Sequence, residues 1–199
     1  MSSPAERPPL HREAIVAAAR KLIEADGLDE LSLRRLAAEL GVTAPALYAH
    51  VRDKGDLLRA VAEQEFEALR ERFEAAPSDP ADPLVRVRAH GRIYIEHALE
   101  QPELFRVMFL FSPATLGGSV PDAIQLPAAT AAFAVAAGAL DEAIEAGAIH
   151  AEDPTLAALT LWAGMHGAAT VLQLGLGLDP DLEQQLIDEI TTRVLDGYR

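Results

Sequence analysis

Apolar residues recur three and four positions apart through most of the chain, and no stretch alternates apolar and polar positions over five or more residues. That pattern predicts helices and no sheet. A first helix starts near Leu10, with Ile15, Ala18, Ala19, Leu22 and Ile23 on one face, and Gly27 ends it. A second runs from Leu33 to Leu40 behind a Ser32 cap, with Leu33, Leu36, Ala37 and Leu40 inward. Gly41 closes that helix, and Val42 is expected as a buried turn residue. Thr43 caps a third helix over 44–50, with Pro45 in the first turn, where its missing N–H costs nothing. Asp53 caps a long fourth helix over 54–75 whose apolar set is Leu57, Leu58, Val61, Phe66, Leu69 and Phe73. Pro77-Ser78-Asp79-Pro80 breaks the chain. Further helices are predicted over 83–100, 102–108, 127–146, 154–176 and 180–197, with a loop over 112–122. The expected fold is all-α with about nine helices. A flexible arm (1–9) precedes a three-helix helix-turn-helix head (10–55) and a C-terminal helical bundle (56–199) for ligand binding and dimerisation.

Two short helices joined by Gly41-Val42-Thr43 form the helix-turn-helix plan, with glycine where the turn needs positive φ. The second helix of such a pair enters the major groove of double-stranded DNA. Its first residues here, Thr43, Ala44, Pro45 and Ala46, offer one hydroxyl and small apolar surfaces. They can press on thymine methyls but make few hydrogen bonds, so phosphate contacts should dominate affinity. Thr43 and the free amides behind it suit a phosphate. Tyr48 can reach one with its hydroxyl while its ring packs. His50 and Lys54 follow, and Ser32, Arg34 and Arg35 open the helix that crosses the backbone. The competing reading makes Tyr48 and His50 packing residues and the arginines solvated.

Net charge is −14, which argues against nucleic acid until its distribution is read. Residues 1–54 hold eight basic and eight acidic side chains, whereas the remainder holds nine basic and twenty-three acidic. An acidic body repels DNA and orients a neutral head toward it.

These residues resemble a known family. Gly27, Leu31-Ser32-Leu33-Arg34, Leu36-Ala37, Leu40-Gly41-Val42-Thr43, Leu47-Tyr48, His50-Val51, Lys54 and Leu57-Leu58 together look like the head of the tetracycline-repressor (TetR) family. Val51 departs from it, since the family often has Phe there. By resemblance, Thr43, Ala44, Pro45, Tyr48, His50 and Lys54 take the DNA-contact positions. The resemblance also implies an all-helical cytoplasmic homodimer, a transcriptional repressor whose body binds a small-molecule effector. Trp162, His166 and Gly167 resemble a C-terminal subgroup of the family that carries Trp, His and Gly on one helix.

In the body, Phe105, Met108, Phe109 and Phe111 cluster before the predicted loop, Trp162 and His166 share a helix face, and Phe133 lies on another helix. Apolar walls with a few polar groups suit a cavity for a small apolar effector. The candidate wall is Tyr94, Phe105, Met108, Phe109, Phe133, Trp162 and His166, with His97 and Arg92 as further polar groups. Ordinary core packing is the alternative. Ala157, Gly164, Gly167 and Ala168, with Leu182, Leu186, Ile190 and Val194 at near-heptad spacing, suit a four-helix dimer interface built from the last two helices of each copy.

The chain has no cysteine, which excludes disulfides and thiolate chemistry and suits a reducing cytoplasm. Residues 1–9 lack the apolar core of a signal peptide. Histidine spacing predicts no metal site, no cofactor is expected, and no nucleophile elbow or phosphate loop marks an enzyme. Leu156–Leu178 has the length of a membrane span but no flanking Lys or Arg, and is expected to be buried in protein. The rival function is a helical dimeric protein-interaction module without effector response.

Overall fold

The computed structural model describes residues 10–110 and 126–198. The predicted arm, the 112–122 loop and Phe111 lie outside the described residues. The helices are α1 (Arg12–Asp26), α2 (Leu33–Leu40), α3 (Ala44–Tyr48), α4 (Lys54–Glu74), α5 (Leu84–Glu100), α6 (Pro102–Met108), α7 (Pro127–Glu145), α8 (Pro154–Gln173) and α9 (Pro180–Asp196). A single 3₁₀ turn, Leu28–Glu30, follows α1. Among the described residues there is no strand.

Local chemistry sets most of the boundaries. The side chains of Ser32, Asp53, Asp153 and Asp179 each accept a hydrogen bond from the amide three residues on, opening α2, α4, α8 and α9. Gly41 closes α2 in the left-handed conformation, at φ +64°. Thr43 stands at the start of α3, but its hydroxyl makes no capping bond, and α3 ends at Tyr48 rather than His50. Pro45 contributes no N–H to that first turn, so one donor fewer is left there for a cap to satisfy.

The core does not divide at residue 55. Ile15, Ile23, Leu36 and Leu47 of the head are fully buried in the same cluster as Phe66, Leu69, Ile95 and Met108. The α4 helix runs through both regions and buries all six apolar residues assigned to it, together with Glu65. Val42 is half-buried, less enclosed than expected. A second buried cluster, around Val87, Leu140, Ala143, Ala157 and Leu195, sits where α5, α7, α8 and α9 meet.

α8 is unusual in being apolar yet exposed. Along with α7 it is long and apolar enough to cross a membrane by length and composition, but only about a third of its apolar window is buried, against the expectation of a buried helix. Leu156, Thr160, Ala163, Gly167, Thr170 and Leu174 are all exposed, at alternating spacings of four and three. The small residues work differently from the expectation. Ala157 and Ala168 are buried within the chain, and a Cβ on Gly164 would meet Val194 of α9 at 3.1 Å. Leu186, Ile190 and Val194 likewise pack partly against their own core, whereas Leu182 is exposed.

Candidate nucleic-acid interface and body cavity

Helix α3 buries Leu47 and presents Thr43, Pro45 and Tyr48 outward, with Ala44 half-buried. Tyr48 is 57% exposed, so its ring does not pack as expected and the whole side chain is free to meet a ligand. His50 is half-buried, and its carbonyl accepts a hydrogen bond from Arg12 Nη1 at 2.7 Å. Lys54 opens α4 beside it. Among the described residues, neither Lys54 nor Arg34 has an ion-pair partner, which leaves both cations available to phosphate. Arg35 is engaged instead, with Asp26 at 2.6 Å and Glu30 at 3.5 Å. Ser32 keeps its hydroxyl proton while its oxygen caps α2.

One pair behind this surface had no signature in the local pattern. Arg12 bonds Asp56 through Nη1 at 2.9 Å and Nη2 at 3.1 Å, and the Arg52 amide donates to the same carboxylate at 3.0 Å. The Arg12 guanidinium, with these added donors, holds the Asp56 carboxyl down to about 2. The pair ties the start of α1 to the start of α4 and to the end of α3.

In the body, an apolar cavity of about 150 Å3 lies among α4, α5, α7 and α8. Tyr94, Phe109, Phe133 and Trp162 line it as expected. Phe105, Met108 and His166 stand behind the wall instead. Met108 is fully buried core, and Phe105 stacks on His166 with ring centres 5.5 Å apart. The sequence reading missed Phe66, Phe73, His90, Gly91, Met165 and Thr191, all of which line the cavity. Arg92 is not in the wall but pairs with Asp188, and His97 lies 4.0 Å from buried Glu65.

The polar groups near the cavity form a hydrogen-bonded chain. Trp162 Nε1 donates to Tyr94 Oη at 3.1 Å, and Tyr94 Oη lies 2.8 Å from His166 Nδ1. An indole N–H only donates, so Tyr94 Oη accepts from Trp162, while the direction of its bond with His166 follows the imidazole tautomer. Burial lowers the His166 pKa and raises that of Tyr94, which keeps both neutral. Among the described residues, no group of three His, Asp or Glu side chains gathers as a metal site.

Helix α6 joins head and cavity. Glu103 accepts a hydrogen bond from the Leu28 amide of the head at 2.9 Å, while Phe105 on the same helix packs edge-on to Tyr94. Phe109, at its end, is part of the cavity wall. From α1, Arg20 reaches Glu65 of α4 at 2.5 Å.

Residues 87–197 match the description "Tetracyclin repressor-like, C-terminal domain", and residues 15–61 match "Bacterial regulatory proteins, tetR family". The chain belongs to the tetracycline-repressor family. As a member, it is a transcriptional regulator with a DNA-binding N-terminal domain. An HTH-type transcriptional regulator of Mycobacterium tuberculosis is 29% identical over 182 residues, spanning 91% of this chain and 78% of that protein. A solved structure from Rhodococcus sp. RHA1, of a protein of unknown function, superposes with a TM-score of 0.81 at 28% identity, covering 98% of this chain and 99% of the other. A TetR variant from Acinetobacter baumannii bound to minocycline shares the fold, with a TM-score of 0.68 at 20% identity over 95% and 96% of the two chains. The neighbour's ligand belongs to the neighbour, and at that identity the likeness extends to fold alone.

Proposed function

We propose that this TetR-family regulator is a cytoplasmic homodimeric repressor that leaves a palindromic operator when a small apolar effector fills the body cavity. In this reading Ser32, Arg34, Thr43, Ala44, Pro45, Tyr48, His50 and Lys54 meet DNA, with Arg35 a weaker contributor because it is already paired. Residues 10–55 act as the DNA-binding head and 56–199 as the ligand-binding and dimerisation body. The observation that carries the reading is the exposed Tyr48 and unpaired Lys54 on a head whose core is continuous with the cavity wall through α4 and α6. An occupant that pushes Phe109 or Phe66 acts on helices that also touch the head. Ligand can shift the heads only through unequal affinity for two arrangements, and a cavity wall shared with helices that touch the head is where such a difference would arise. The exposed stripe of α8 supports a dimer, which would set two heads about one DNA turn apart or a multiple of it.

Fluorescence anisotropy on an operator selected from genomic DNA tests the DNA contacts. Tyr48→Ala and Lys54→Ala weaken binding, and Lys54→Ala lowers the slope of log affinity against log salt by about one. If neither change weakens binding in moderate salt, the protein-interaction module is the better reading. A compound shown to saturate the cavity is expected to lower operator affinity; unchanged affinity removes the release mechanism and leaves the DNA contacts standing.

A further inference from the structure

The seam between α4 and α5 holds two buried polar atoms without hydrogen-bond partners, Glu65 Oε2 and His97 Nε2. They lie 4.0 Å from each other. Glu65 is 1% exposed and His97 4%. Buried polar atoms in folded proteins are nearly always paired. A donor and an acceptor that both lack partners, one on each of two packed helices, fit a second arrangement in which they meet. A hydrogen bond spans about 2.9 Å, so the approach needed is about 1 Å. Burial lowers the His97 pKa to about 4, which keeps the ring uncharged at neutral pH. A carboxylate only accepts, so it favours the tautomer with the ring proton on Nε2.

Both sides of this gap lead to a functional part of the molecule. The other oxygen of Glu65, Oε1, accepts from Arg20 Nε at 2.5 Å, and Arg20 belongs to α1, the first helix of the head. Phe66 follows Glu65 in α4, and Tyr94 stands about one turn before His97 in α5; both line the cavity. An occupant seated against both helices opposes their approach, whereas an empty cavity allows it.

We propose that His97 is a positioning residue for the head: in the operator-bound arrangement its Nε2–H is donated to Glu65 Oε2, and an occupant of the cavity holds the two apart. The second half rests on the effector reading of the cavity and adds the contact through which it acts. With both oxygens engaged, one carboxylate ties α5 to α1 across α4, and hydrogen bonds to a charged group are among the stronger ones. Occupant and bond oppose each other, so each weakens the other by the same factor.

Fluorescence anisotropy on the selected operator compares the natural chain with His97→Met and His97→Gln, each with and without saturating benzene. An apolar void of about 150 Å3 accommodates benzene, which makes it the cavity probe. His97→Met is expected to bind operator about tenfold more weakly, while its melting temperature stays level or rises because an unpaired buried polar group is gone. A residue that only filled the core would move both readouts the same way. His97→Gln, which restores a donor, binds within about threefold of the natural chain. In spectra of the full chain carrying 15N-histidine, the His97 Nε2 proton moves downfield on adding operator. Benzene weakens operator binding by the natural chain and leaves His97→Met unchanged. Should the variants fail to fold, the shift on the natural chain decides alone. Undiminished binding by His97→Met, or an unmoved His97 resonance, overturns the contact. Benzene that weakens both chains alike overturns its link to the cavity and leaves the effector reading standing; benzene that weakens neither overturns the effector reading and the link together.

Discussion

Asp56 gathers the guanidinium of Arg12 and the amide of Arg52 on one carboxylate, where three short segments of the head meet. Removing it leaves part-buried Arg12 without its carboxylate, though still donating to the His50 carbonyl, and hydrogen bonds to charged groups count for more than neutral ones. Asp56→Ala is expected to lower unfolding free energy by about 2 kcal/mol in urea titration, and Asp56→Asn to recover only part of it. Since the folded carboxyl sits near 2, below its ordinary range, its contribution is complete at neutral pH. It is lost only as pH falls from about 4 through 2. The buried histidines act higher on the scale. Burial lowers the pKa of both His90 and His97, the latter to about 4. Between about pH 6.5 and about 4 the unfolded chain therefore binds protons that the folded chain refuses, so stability falls as pH falls through that window. His97→Met should flatten that fall, and equal slopes in the two proteins would refute this origin. Neither effect was readable along the sequence. Arg12 and Asp56 are 44 residues apart, and no local spacing pairs them.

The helices themselves were legible because their ends are written locally. Ser32 and Asp53 cap where the sequence placed them and Gly41 turns where positive φ was required, whereas Thr43 makes no capping bond and the caps of Asp153 and Asp179 are seen only in the structure. The cavity was legible only in part. Phe66 and Phe73 were correctly read as the inner face of α4, but wall and core differ only by a void between helices, which no periodicity encodes. Gly91 illustrates the point. A Cβ there would lie 3.0 Å from Met165 Sδ and 3.1 Å from Thr191 Cγ2, so glycine permits α8 and α9 to close on α5 beside the cavity. Alanine gains about 1 kcal/mol of helix propensity and costs about 1–3 kcal/mol in overpacking. Gly91→Ala is thus expected to leave the melting temperature level or lower and to weaken benzene binding; a clear rise in melting temperature would contradict the packing argument. Helix α6 makes a second case. It was read as an aromatic cluster, but its Glu103 faces the head. Glu103→Gln should bring operator affinities with and without a cavity ligand several-fold closer, with the cavity affinity itself unchanged.

On the scale of the whole molecule, charge and apolar surface are sorted to opposite tasks. The acidic side chains beyond residue 54 keep the body away from a polyanion, so a duplex can be approached only by the neutral head. One head with a five-residue recognition helix and few base-reading groups is a weak reader. Two heads on one rigid frame gain by effective concentration, by a factor of about 10²–10⁴ when the spacing fits the duplex. The frame needs an interface, and α8 offers one. Its exposed residues repeat at coiled-coil spacing without a charge, and Val171, Leu174 and nearby Leu182 are 41%, 67% and 45% exposed. A second copy laid along this stripe would cover apolar surface that a monomer leaves in water. Val171→Glu with Leu174→Glu puts two carboxylates into that contact without touching the buried side of α8. The double variant is expected to sediment as a monomer, keep its helical circular dichroism, and bind a full operator at least a hundredfold more weakly while binding a half-site as before. A variant that still sediments as a dimer would move the interface off α8.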